Sequence, residues 1–207
     1  MVQWLFFDLG STLIDESDCD DYRMQMLVDQ PGAPDRGELK RTMEEFAKQN
    51  LPFYKETARK YGLTTTKWPA HLEKLYPEVK MTLEQLSLDY HFGIIANQNP
   101  GVIQRLKHHG IRQYFQVIAS SGELGTAKPN YTIFQWALRQ ANCVPEEAVM
   151  IGDRLDNDIA PAMALGIKTV WVRQGMGKFG NPNMLTQQPN AVIDSIQALP
   201  ATLKRGF

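Results

Sequence analysis

Trp4-Leu5-Phe6-Phe7-Asp8-Leu9-Gly10-Ser11-Thr12-Leu13 is the stretch whose reading decides the fold. Its first half is apolar without alternation, the pattern of a strand covered on both faces, and it stops at a carboxylate, a glycine and two hydroxyl residues. An ionised acid is costly to desolvate, so Asp8 belongs at the C-terminal mouth of this strand, near cations or backbone donors. Open α/β sheets bind their ligands at that mouth.

Outward from this strand, short apolar runs at 92–96, 115–119, 148–151 and 169–172 alternate with helical spacings over 81–89, 102–109, 131–141 and 158–165. That alternation predicts a parallel sheet with right-handed crossovers, a doubly wound α/β domain. Residues 15–78 break the pattern. They open with Asp15, Glu16, Asp18, Asp20 and Asp21, then carry helical spacings at Met24, Leu27, Val28 and at Leu39, Met43, Phe46, Ala47. Pro31-Gly32 and Pro34-Asp35 make a loop between these, and Trp68, Leu72 and Leu75 give a further short helical pattern. The chain therefore divides into an α/β core, 1–14 and 79–207, and a small α-helical insertion, 15–78. In the tail, 174–190 reads as a long surface loop bordering the site mouth, 191–193 as an edge strand and 195–199 as a short helix.

Composition narrows the function classes. A chain of 207 residues with 43% apolar content, 22 basic and 23 acidic side chains is an ordinary globule with no basic footprint for nucleic acid. Cys19 and Cys143 fit neither a metal nor a redox spacing, which favours a reducing interior. The apolar start 2–7 is too short for a signal core and no other run approaches spanning length, so the expectation is a cytoplasmic protein with no membrane partner.

Three later stretches bear on Asp8. Gly93-Ile94-Ile95-Ala96-Asn97 is a strand that ends in an amide; Gly125-Thr126-Ala127-Lys128-Pro129 puts a lysine before a proline and a helix; Val149-Met150-Ile151-Gly152-Asp153 runs into an acid, with Asp158 five residues on. Together with the first stretch they resemble, in order, the four motifs of the haloacid dehalogenase-like (HAD) hydrolases. That resemblance implies a Rossmann-like core with a helical cap inserted after the first strand. It makes Asp8 the nucleophile and Lys128 the catalytic cation. A divalent ion, Mg²⁺, falls to Asp8, the Gly10 carbonyl, Asp153 and Asp158. The phosphate of a small phosphorylated substrate falls to Leu9, Gly10, Ser11, Thr12, Asn97 and Lys128. Asn97 reads equally well as a turn residue before Pro100-Gly101.

The chain departs from the family pattern at two points. Gly10 and Ser11 stand where the usual Asp-Gly follows the nucleophile, and Ala96 stands where a hydroxyl belongs. Gly10 cannot protonate a leaving group or activate water, a contribution typically worth about 10²- to 10⁴-fold. Three outcomes stay open: a substrate with a good leaving group, an acid from the cap side with Asp15 and Glu16 nearest in sequence, or a phosphate- and Mg²⁺-binding protein with little turnover. The rival reactions are a metal-independent 2-haloacid dehalogenase and a phosphonate-cleaving enzyme using Lys40, Lys48 or Lys55.

Overall fold

The computed structural model describes residues 1–206. The chain opens with β1 (Trp4–Phe7) and β2 (Ile14–Asp15), then three helices, α1 (Ser17–Val28), α2 (Arg36–Lys48) and α3 (Phe53–Lys60), before β3 (Lys74–Leu75). From there helices and strands alternate: α4 (Val79–Leu86), β4 (His91–Ala96), α5 (Val102–His108), β5 (Phe115–Ser120), α6 (Ser121–Leu124), α7 (Tyr131–Ala141) and β6 (Ala148–Gly152). The last elements are α8 (Ala160–Ala164), β7 (Lys168–Val172), β8 (Ala191–Ile193) and α9 (Leu199–Leu203).

Six parallel strands form one sheet in the order β5-β4-β1-β6-β7-β8. The strand order reverses at β1, which sits between β4 and β6, so a crevice opens beyond its C-terminal end. The alternation of side chains explains the unbroken apolar run of β1. Leu5 and Phe7 enter the core under α4, α5 and α9, whereas Phe6 enters the opposite core under α7 and α8. Gly93 on β4 is required by Phe6, because a Cβ there would lie 2.5 Å from the Phe6 ring.

Helices α1, α2 and α3 gather around a cluster of their own, built from Met24, Leu27, Leu39, Met43, Tyr54 and Ala58. Asp35 caps α2, its carboxylate accepting the Glu38 amide at 2.9 Å. Two expectations for 15–78 need correction. The helical spacing of Trp68, Leu72 and Leu75 yields only a 3₁₀ turn over Ala70–Leu72, because Pro69 removes a donor inside the pattern. The segment that follows becomes β3, which pairs antiparallel with β2 through Ile14–Leu75 and Asp15–Lys74. A two-residue ribbon has too few residues to show a period.

Asp158 does not open a helix either. It lies inside a π-helical turn over Leu155–Ile159, and α8 starts only at Ala160 with Pro161 in its first turn. Among the described residues, no helix is long and apolar enough to cross a membrane.

Candidate active site

Two carboxylates leave the sheet at the same edge. Phe7 and Ile151 are partners across β1 and β6, so Asp8 and Asp153 follow from adjacent strands; the Asp8 amide continues the pairing onto the Ile151 carbonyl at 2.9 Å. The π-turn folds Asp158 back over Gly152, where a Cβ would lie 2.6 Å from that of Asp158. This close return is the physical reason for the glycine before Asp153. Asp8, Asp153 and Asp158 are all buried and offer ligand oxygens within 4.8 Å of one another.

Lys128, 4% exposed, is the cation set among them. Its Nζ donates to Asp8 Oδ1 and Asp158 Oδ1 at 2.6 Å each, and to the Ile95 carbonyl at 2.7 Å, so all three ammonium donors are used. Burial pushes the Asp8 carboxyl up to about 6, with Lys128 opposing and Asp158 reinforcing the rise. Burial, then the Asp158 and Asp8 charges, raises Asp153 well above the usual range. Burial pulls the Lys128 ammonium down, but Asp158 and Asp8 outweigh it and the group lies above its ordinary value. Three buried acids around one ammonium leave an excess of negative charge on hard oxygens, a donor set that fits a divalent cation such as Mg²⁺.

The other expected contacts divide. Gly10, Ser11, Asn97 and Lys128 line a cavity of about 500 Å³ together with Asp8, Asp153 and Asp158. Asn97, however, spends its carboxamide on Lys128. Its oxygen accepts the Lys128 amide at 2.7 Å and its nitrogen donates to the Lys128 carbonyl at 2.8 Å, so it positions the lysine. The Ser11 amide is committed to the Ile14 carbonyl at 2.8 Å, which leaves its hydroxyl as the group at the cavity.

Thr12, expected at the phosphate, stands apart from this lining. The amides of Thr12, Leu13 and Ile14 all turn back onto the Leu9 carbonyl, at 3.4, 2.9 and 2.9 Å, and this tight return buries Thr12 completely. Its hydroxyl lies outside the cavity lining and has no partner among the described residues. Leu9 is fully buried as well, and its amide supports the Asp8 carboxylate.

The volume beside Gly10 is occupied. A Cβ built on Gly10 would lie 2.7 Å from Cδ of Glu16, whose carboxylate faces the same cavity and accepts the Ser11 hydroxyl at 3.3 Å. Gly10 itself has no positive φ, and the three atoms nearest to a Cβ there all belong to the Glu16 carboxylate. Burial first, then the charges of Asp20, Asp8 and Glu73, holds Glu16 well above the usual carboxylate range.

The haloacid dehalogenase-like hydrolase family model matches residues 5–172. The chain belongs to the haloacid dehalogenase-like hydrolases. It is 30% identical over 197 residues to the glyceraldehyde 3-phosphate phosphatase of Pyrococcus furiosus, covering 84% of this chain and 82% of that one. It is 36% identical over 126 residues to the enzyme of the same name from Methanopyrus kandleri, a match spanning 58% of this chain and about half, 53%, of that relative. The HAD-hydrolase YfnB of Bacillus subtilis shares the fold, with a TM-score of 0.71, 18% identity and 98% of each chain covered.

Several residues around the HAD site were not singled out from the sequence. Arg23, Gln98, Asn99, Ser121, Arg154, Asn157 and Met176 all line the cavity. Arg23 follows the acidic run 15–21 and carries no motif, and Met176 belongs to the late loop, which was expected at the mouth only in outline. Of the lysines considered for phosphonate chemistry, Lys55 lines the cavity, exposed on α3, and Lys40 and Lys48 do not.

Proposed function

We propose that this HAD hydrolase is a Mg²⁺-dependent phosphatase for a small phosphorylated metabolite, working through an aspartyl-phosphate on Asp8. The core is 1–14 and 79–207, and 15–78 is the cap. One observation carries the reading: Asp8, Lys128, Asp153 and Asp158 meet at the switch point of the sheet, in a cavity of small-ligand size. Asp8, Asp153 and Asp158, with the Gly10 carbonyl, would hold the Mg²⁺ ion, which when bound offsets the repulsion between the phosphoryl group and the attacking carboxylate. The phosphatase names of the curated relatives support the same substrate class.

Asp8 attacks phosphorus; the bond from phosphorus to the substrate oxygen breaks, and that oxygen leaves with the electron pair. Lys128 orients the nucleophile and balances its charge. Glu16 takes the role that Gly10 cannot: its carboxylate occupies the volume where a residue-10 side chain would project. It gives a proton to the leaving oxygen, then takes one from the water that attacks phosphorus and frees Asp8. The Arg154 stack on Phe53, with Cζ 4.9 Å from the ring centroid, ties the cap side to the core beside this chemistry.

The test is a panel of phosphate esters assayed with and without Mg²⁺ and repeated on Asp8→Asn. Mg²⁺-dependent turnover abolished by the substitution is the expected result. Metal-independent halide release from 2-haloacids would replace this reading with a dehalogenase. Binding of Mg²⁺ and phosphate without turnover would replace it with a sensor of the same fold.

A further inference from the structure

Arg23 projects from α1 into the cavity that holds Asp8 and Lys128. Its guanidinium carbon lies 3.4 Å from the centroid of the Tyr54 ring and 5.0 Å from that of Trp68, so two aromatic side chains flank the group. The side chain is only 17% exposed, and its Nε is buried without a partner. Among the described residues it makes no hydrogen bond. Its one ion pair is a long one, 3.9 Å to Asp20 one turn back on the same helix.

The other arginines with comparable cover behave differently. Arg105, 17% exposed, is bonded to Glu73 and Gln98, and Arg154, 20% exposed, to Asp156 and the Leu51 carbonyl. Covered polar groups are ordinarily satisfied, and a guanidinium presents five donors in a planar fork that matches a carboxylate. Arg23 is therefore flanked and covered, yet its guanidinium donates no hydrogen bond within the described residues.

We propose that Arg23 sets substrate choice by receiving a carboxylate at the end of the molecule remote from the phosphate, which makes the substrate a small phosphorylated carboxylic acid. The inference rests on the phosphatase reading above. Charge selects a carboxylate over a second phosphoryl group. Asp20 lies beside Arg23 in this cavity, so one guanidinium balances a monoanion, whereas a dianion next to that acid would be left in excess. Stacking on Tyr54 and Trp68 holds the fork in place before the ligand arrives, which lowers the ordering cost of binding.

The test compares two three-carbon phosphate esters, 3-phosphoglycerate and glycerol 3-phosphate, on wild type, Arg23→Met and Arg23→Lys. Wild type should prefer the carboxylated ester in kcat/KM. Arg23→Met should collapse that preference by about 10- to 150-fold, mostly through KM, as expected for loss of a charge-assisted bidentate contact. Arg23→Lys keeps a charge without the fork and should restore only part of it. If Arg23→Met fails to fold, Arg23→Lys carries the comparison. An equal loss on both esters, no preference in wild type, or a preference for a bisphosphate of the same length would overturn the proposal. Asp8-dependent hydrolysis of an aryl phosphate separates the failures: if that activity is present without carboxylate preference, only the role of Arg23 falls; if it is absent, the phosphatase reading falls with it.

Discussion

Glu16 and Gly10 form a pair that can be exchanged, and this is the sharpest consequence of the site. Glu16→Gln keeps the bulk of the side chain and removes the transferable proton. General acid–base assistance contributes about 10²- to 10⁴-fold, which at ~1.4 kcal/mol per decade corresponds to ~3–6 kcal/mol of barrier. The loss should fall in kcat and be much larger for an alkyl phosphate than for an aryl phosphate, whose leaving oxygen needs little protonation. Gly10→Asp alone forces a second carboxylate into the volume that Glu16 fills, where a Cβ would already lie 2.7 Å from Glu16 Cδ. It should lower the unfolding free energy by the ~1–3 kcal/mol typical of overpacking, measured by urea denaturation. Adding Gly10→Asp to Glu16→Ala should instead recover the alkyl-phosphate kcat to within about tenfold of wild type, because residue 10 has no positive φ and the atoms nearest to its Cβ are then removed. A Glu16→Gln enzyme with unchanged kcat on both esters would refute the reasoning. So would a double variant no faster than Glu16→Ala, since the two carboxylates would then not serve one function.

Other consequences are simpler to check. Thr12→Val removes a completely buried hydroxyl that has no partner among the described residues, so it should raise stability by ~1 kcal/mol and leave turnover as it was; a loss of activity would put Thr12 back at the phosphate. Gly93→Ala drives a methyl into the Phe6 ring and should destabilise by ~1–3 kcal/mol, less the ~0.5–1 kcal/mol that a Cβ gains in a strand, with Phe6→Leu relieving the clash in thermal melts. Mg²⁺ at about a hundred times its Kd should stabilise the protein by ~2.7 kcal/mol, a rise in Tm that EDTA reverses and Asp153→Asn diminishes.

Much of the core was legible because burial leaves a direct mark on composition. Strands covered on both faces must be apolar throughout, so β1, β4, β5, β6 and β7 are found where the apolar runs lie. Asp8 and Asp153 each close such a run, and it was the order of the four stretches, which resembles the family's motifs, that tied the two acids to one site. The ribbon of β2 and β3, the π-turn at Leu155–Ile159 and the 3₁₀ turn at Ala70–Leu72 are set by a few local hydrogen bonds and leave no period to read. Asn97 is instructive in another way: its place beside the site was legible, whereas its partner, the backbone of Lys128, lies 31 residues away and emerges only from the fold.

By itself the sequence determined the doubly wound core, the acids that close β1 and β6, and the absence of a carboxylate at residue 10. Only the tertiary structure decided what each of these meets. The Leu9 turn leaves Thr12 off the cavity lining, the junction between β2 and α1 brings Glu16 into the volume beside Gly10, and Arg23 is stacked on Tyr54 and Trp68 at the cavity. The physical reason is that a run of side chains records its own exposure to water, whereas the distance between two charges depends on every element packed between them.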